Sequence, residues 1–209
     1  MIVRLLLLLL LLLPLAWLAG CATLPEDPGT APGALDRALI AGDCRTAYAL
    51  LETTPGAGAQ ATLQTAQMCL QVGDFLRARR MAGDFLRDAP THPDGDYAAY
   101  VHALAGFGEW SRATRADPEA RVREGRALFQ EIAEHLRDRP LSEYASELAP
   151  RLVRLREGVA EAEFALAERE HRYGNPAVAR ARAEYVVEHY PRTQAAADAA
   201  RLLLTLGSY

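Results

Sequence analysis

From residue 34 onward, apolar side chains recur at intervals of three and four, the spacing that puts them on one face of a helix. Leu128, Phe129, Ile132, His135 and Leu136 trace one such face. The pattern predicts helices over 34–41, 44–53, 59–72, 75–88 and 94–106, then over 118–138, 142–173, 176–189 and 193–206. The stretch from Phe107 to Asp117 breaks the period and reads as irregular. Pro150 lacks an amide donor, so it predicts a kink or a late start in the longest run, and Gly158 should loosen it. Thr193 is placed to cap the last helix. No window alternates polar and apolar residues over the length of a strand, so the expected class is all-α.

The helices also repeat. Gly42-Asp43-Cys44-Arg45-Thr46-Ala47 recurs as Gly73-Asp74-Phe75-Leu76-Arg77-Ala78, and more loosely as Gly174-Asn175-Pro176-Ala177-Val178-Ala179. In the last two copies a proline follows the alanine at one distance: Ala78 to Pro90, and Ala179 to Pro191. Each position has a physical role. Glycine takes the left-handed conformation that ends one helix, and Asp or Asn caps the next. Alanine allows two helix axes to approach, and proline stops the second helix about three turns on. A helix, tight turn and helix at this spacing is the unit of a tetratricopeptide repeat (TPR) array.

The N-terminal segment obeys a different rule. Arg4 precedes an unbroken apolar run from Leu5 to Leu13, followed by Pro14 and the small-residue end Leu18-Ala19-Gly20-Cys21. These three parts in this order form a secretory signal peptide. A transmembrane anchor is the alternative, but the run is barely long enough to span a bilayer. Leu-Ala-Gly-Cys resembles the bacterial lipobox, which implies cleavage between Gly20 and Cys21 and acylation of Cys21. Ala22 rather than Asp after the cysteine favours, by resemblance to lipoprotein sorting in enteric bacteria, release to the outer membrane. The expected organisation is a signal peptide over 1–20, an acylated cysteine and Pro/Gly-rich tether over 21–33, and a helical domain over 34–209. In an extended state at about 3.1 Å per residue, the tether reaches a few tens of ångströms.

Composition narrows the chemistry. The chain carries 27 acidic residues against 23 basic ones, all of the latter arginine. A net charge of −4 argues against binding nucleic acid, which requires clustered positive charge. The 40 alanines favour helices packed closely through small side chains. His92, His102, His135, His171 and His189 show no metal-ligand spacing, so no metal or cofactor is expected. Ser111, Ser142 and Ser146 lie outside any nucleophile-elbow motif, and no phosphate-binding glycine loop occurs. Glu161, Glu163, Glu168 and Glu170 interleave with Arg169 and Arg172, as on a solvated, ion-paired helix face. His92 reads as a turn residue, and Tyr97, Tyr100, Tyr144 and Tyr185 as packing residues. No enzyme is expected.

A more specific resemblance begins at Phe85. The segment FLRDAPTHPDGDYAAY is similar to one in the BamD family, TPR lipoproteins of the outer-membrane β-barrel assembly machine, through Pro90, Thr91, His92, Pro93, Asp96, Tyr97 and Tyr100. Phe129, Pro140, Ser142 and Tyr144 resemble the family's next repeat, and RLVRLREGVAEAEFALAEREHRYG its long helix. The stretch ARARAEYVVEHYPRTQAAADAARLL is similar to its last Tyr-Pro-x-Thr repeat. Two features depart from the pattern. The stretch TTPGAGAQ replaces an aromatic-rich connection between the first two repeats, and the sequence stops soon after Leu206-Gly207 where relatives continue.

The resemblance implies a non-catalytic scaffold, lipid-anchored to the outer membrane and facing the periplasm. Its implied partners are a BamA-type barrel subunit and other assembly-machine lipoproteins. The family's partner-facing arginine falls on Arg182, which otherwise reads as a solvated helical residue. The alternative role is that of another TPR lipoprotein adaptor, such as a secretin pilotin or a peptidoglycan-hydrolase adaptor.

The TPR arrangement has one further consequence. Antiparallel packing brings the start of the helix opened by Cys44 beside the end of the helix carrying Cys69. In an oxidising compartment these two would form a disulfide; the alternative is a pair of buried thiols.

Overall fold

Local chemistry at the turns sets the helix boundaries. The computed structural model describes residues 33–207 apart from 55, 114 and 115. Among these residues there are nine helices and no strand. The first five are α1 (Ala34–Ile40), α2 (Cys44–Thr53), α3 (Gly58–Gln71), α4 (Phe75–Asp88) and α5 (Gly95–Arg112). The others are α6 (Pro118–Asp138), α7 (Ala145–Arg172), α8 (Pro176–His189) and α9 (Gln194–Leu206). Gly42, Gly73 and Gly174 have φ of +69°, +76° and +78°, the conformation that ends a helix without steric cost only for glycine. The next residue then caps: Asp43 Oδ1 accepts the Thr46 amide at 3.1 Å, and Asp74 Oδ1 accepts that of Arg77 at 3.3 Å. Thr193 caps α9 through Ala196 at 3.1 Å. Asn175, expected to cap α8, instead donates its side-chain amide back to Glu170 at 2.9 Å; Pro176 opens that helix with its φ already fixed.

Successive helices pack as pairs, and each odd-numbered helix also packs on the next odd one: α1 on α3, α3 on α5, α5 on α7, α7 on α9. Odd helices thus form one layer and even helices another, which is the TPR arrangement. The alanines expected at helix crossings, Ala47, Ala78 and Ala179, are each completely buried. No helix among the described residues is long and apolar enough to cross a membrane.

Two expectations need correction. Helix α5 continues through Phe107–Arg112, because Phe107 and Trp110 turn into the central core and hold these residues helical. Only residues 113–117 remain irregular. Helix α7 runs 28 residues, starting at Ala145 rather than 142, with Pro150 inside it. Proline there stands in the second turn and removes one helical donor, the amide that would reach the Ser146 carbonyl, without ending the helix.

The third repeat departs from the alanine rule. Arg121 occupies the place, four residues after the capping Asp117, that alanine holds in the others, and only 8% of it is exposed. Its guanidinium lies over the Trp110 ring, 3.9 Å from the centroid. Arg121 Nη1 donates to the Trp110 carbonyl at 3.0 Å, and the indole Nε1 donates to the Arg121 carbonyl at 3.1 Å. A charge enters the core here because it donates to a carbonyl and its flat face is stacked. Trp110 in turn sits on two glycines of neighbouring helices. A Cβ at Gly158 would come within 2.4 Å of the indole, and one at Gly125 within 2.8 Å. Gly158 therefore permits close approach rather than loosening α7. Gly158→Ala is expected to cost about 1–3 kcal/mol through overpacking, although alanine is the better helix former; an unchanged urea midpoint would refute the clash.

Candidate functional site

Helices α6, α7 and α8 enclose a groove organised by Arg126. This arginine projects from α6 towards a carboxylate of α7, the Tyr185 phenol of α8 and that of Tyr190 just after it. Its Nη2 pairs with Glu163, whose side chain is only 8% exposed. The same nitrogen donates to the Tyr185 hydroxyl at 2.7 Å, while Nε donates to that of Tyr190 at 3.1 Å. Tyr185 stacks on His189 one turn along, with centroids 3.9 Å apart, and meets Tyr190 edge-on at 6.2 Å. Burial holds the Tyr190 phenol above its ordinary range, and the hydrogen bond from Arg126 partly offsets this. Burying the Glu163 carboxylate is tolerable because the half-open Arg126 supplies its partner charge and is itself held by the two phenols.

Two cavities meet at the Arg126–Tyr185 contact. One, of about 390 Å³, is walled by Phe129, Val159, Tyr185, His189 and Tyr190, with Arg126 and Arg156 at its rim. The other, of about 450 Å³, is lined by Glu163, Val178, Ala181 and Arg182 as well as the shared pair. The buried Nε of Arg182 makes no hydrogen bond. A third cavity, of about 460 Å³, lies between α2, α3 and α4 beneath Glu52, Asp84, Asp88 and Arg80; it contains no comparable unsatisfied group.

The structure scatters the remaining sequence candidates. Gly20 and Cys21 lie outside the described residues. Cys44 and Cys69 come together at the α2–α3 packing, with Cα atoms 4.9 Å apart and the sulfurs at 2.03 Å. His92 accepts the Asp94 amide at 3.2 Å within its turn. Tyr97, Tyr100 and Tyr144 form one aromatic cluster, with Tyr100 stacked on Tyr144 at 4.4 Å. Burial and a 2.7 Å hydrogen bond to Glu147 push the Tyr100 phenol up to about 12. This cluster is packing between α5 and the start of α7 and opens onto none of these cavities. Among the described residues, no group of three or more His, Cys, Asp or Glu side chains is arranged to hold a metal.

Sequence reasoning missed Arg126 and Glu163. The acidic run on α7 read as a solvated face, but Glu163 is buried against α6. Arg169 pairs with Glu119 on α6 at 2.6 Å as well as with its neighbour Glu170 at 4.0 Å. The available signal was position: Val159, Ala160, Glu163 and Leu166 recur at helical spacing on the buried side of α7.

A titratable pair joins α5 to α6. His135 Nε2 is 3.3 Å from Asp96 Oδ1, with Arg139 also 3.6 Å from that carboxylate. Burial lowers the His135 pKa below its ordinary 6.5; Asp96 opposes the shift and Arg139 reinforces it. The unfolded chain therefore binds this proton more readily than the folded one. Stability from His135 is full above about pH 6.5 and is lost as pH falls through that value towards the folded pKa. His135→Gln should flatten the stability profile between pH 7 and 5.5 relative to wild type; parallel profiles would refute this.

The family model for YfiO, described as an outer membrane lipoprotein, matches residues 36–206. The chain belongs to the YfiO family. The match spans α2 to α9 and all but the first residues of α1, so the groove lies wholly inside the YfiO region.

Proposed function

We propose that this YfiO-family chain is a non-catalytic scaffold in the assembly and insertion of β-barrel proteins into the outer membrane. It is cleaved after Gly20, acylated on Cys21 and held at the periplasmic side of the outer membrane through the 21–33 tether, with residues 34–209 as the working domain. Several acyl chains suffice for durable anchoring, since each buried CH₂ contributes roughly 0.8 kcal/mol. A BamA-type barrel subunit docks through its periplasmic domains on the even-helix side, at Arg182, alongside other lipoproteins of the assembly machine. The observation that carries this reading is the buried, unpaired Nε of Arg182 at the wall of the α6–α8 groove, in a chain whose family is an outer membrane lipoprotein family. An acceptor supplied by the partner would satisfy that nitrogen once the side chain turns it out into the groove.

Affinity purification of the tagged lipoprotein from membranes, followed by mass spectrometry, tests the proposal. A barrel-assembly subunit is the expected companion, and Arg182→Ala should reduce its recovery at least tenfold. Recovery of a secretin or a peptidoglycan hydrolase without any barrel-assembly subunit would replace this reading with an adaptor role.

A further inference from the structure

The 390 Å³ cavity beside Arg126 does not belong to the Arg182 contact and has a different character. Its walls are ring faces and a valine, and its volume lies in the range of pockets that take a small ligand or a single side chain, about 300–1,000 Å³. The polar ends of two wall residues are already committed: the hydroxyls of Tyr185 and Tyr190 both accept from Arg126. What these tyrosines still offer is hydrocarbon surface, fixed in place by the stack on His189 and the edge contact between them. Prearranged aromatic walls bind an apolar group with little loss of side-chain entropy.

The rim carries the opposite message. Three arginines, Arg126, Arg156 and Arg182, surround the two cavities, and one carboxylate, Glu163, faces them. Glu163 is buried and spent on Arg126. Arg156 reaches only the Pro191 carbonyl, at 3.3 Å, and the Arg182 Nε has no hydrogen bond. The groove is therefore cationic around an apolar hole, and its complement is anionic around an apolar knob. Aromatic rings and arginines together are the residue types that concentrate binding energy at interfaces.

We infer that this cavity receives one bulky apolar side chain of the docked partner, presented next to a carboxylate that reaches the rim arginines. This rests on the docking proposed above and adds to it the chemistry of the partner segment. Glu163 is then a positioning residue: it holds Arg126 so that the two tyrosines stand as walls, and it touches no partner atom itself.

The test measures binding of the acyl-free mature chain to purified periplasmic domains of the barrel subunit by calorimetry. Phe129→Ala removes a half-buried wall, and His189→Glu places a negative charge on an exposed one. Both should keep wild-type helicity by circular dichroism and bind at least tenfold more weakly. A photo-crosslinking side chain at position 189 should label a partner peptide whose modified residue is apolar and lies within two positions of Asp or Glu. Wild-type affinity in both wall variants, with Arg182→Ala weakened, would overturn the pocket while leaving the docking intact. Failure of the wild-type chain to bind would overturn both. A crosslink to a basic or polar segment, or to a second copy of this chain, would overturn the assigned chemistry.

Discussion

Trp110→Ala should destabilise the array by about 3–5 kcal/mol, the range for deleting a large buried aromatic side chain. The indole is only 6% exposed and belongs to the central apolar cluster with Val122, Leu128, Leu155 and Val159. Its loss would leave a cavity bordered by Gly125 and Gly158, which have no side chains to relax into it. It would also strip Arg121 of the ring it lies on and free the Arg121 carbonyl from its donor. Trp110 joins α5 to both α6 and α7, so the damage should appear in global unfolding rather than as local fraying. Urea denaturation followed by circular dichroism measures it, and a loss under 1 kcal/mol would show that the cavity collapses. A second substitution sharpens the test: Gly158→Ala should be unfavourable in the wild type yet neutral or stabilising once Trp110 is gone. The clash then disappears and only alanine's better helix propensity, worth up to about 1 kcal/mol, remains.

Loss of the Cys44–Cys69 link should cost about 3 kcal/mol, the value for closing a loop of this length, and the cost should fall on the first repeat. The two residues are 25 apart in sequence. Helix α1 has seven residues and buries only Ala38, while α2 buries only Cys44 and Ala47. Such a repeat has little apolar area of its own to hold it on α3. In a repeat array, stability is a sum of local and nearest-neighbour contributions, so a weak terminal unit can open alone. Cys69→Ala, or reduction, should speed amide exchange over residues 34–53 far more than over α7 and α8. Titration of the unfolded but unreduced mature chain should find neither Cys44 nor Cys69 reactive; two reactive thiols would sink the proposal of a disulfide in the isolated protein.

Much of the scaffold was legible because it is written in short-range chemistry. The glycine–aspartate turns predicted the starts of α2 and α4, and Thr193 that of α9, since a cap involves residues only three apart. The buried alanines at positions 47, 78 and 179 followed from the same spacing. The end of α5 was not legible: Phe107-Gly108-Glu109-Trp110 adds a second glycine to the one at 106, and only packing onto α6 and α7 makes it helical. The site was less legible than the fold. Arg182 was reached through a resemblance, whereas Arg126 went unseen, Glu163 read as solvated and Tyr185 as a packing residue. On a sequence, an arginine on one helix and a glutamate 37 residues later look like two solvated charges.

The sequence by itself determined the helical class, most helix boundaries and the repeating turn. All of these depend on interactions within a few residues of one chain segment. The tertiary structure decided which charges are inside: Arg121 on Trp110, and Glu163 under Arg126. Burial of a charge is tolerable only where another helix supplies its partners, and the identity of that helix is a property of packing. The same packing sets the aromatic walls beside the Arg126 bridge, leaving an apolar cavity ringed by arginines on the even-helix side of the array.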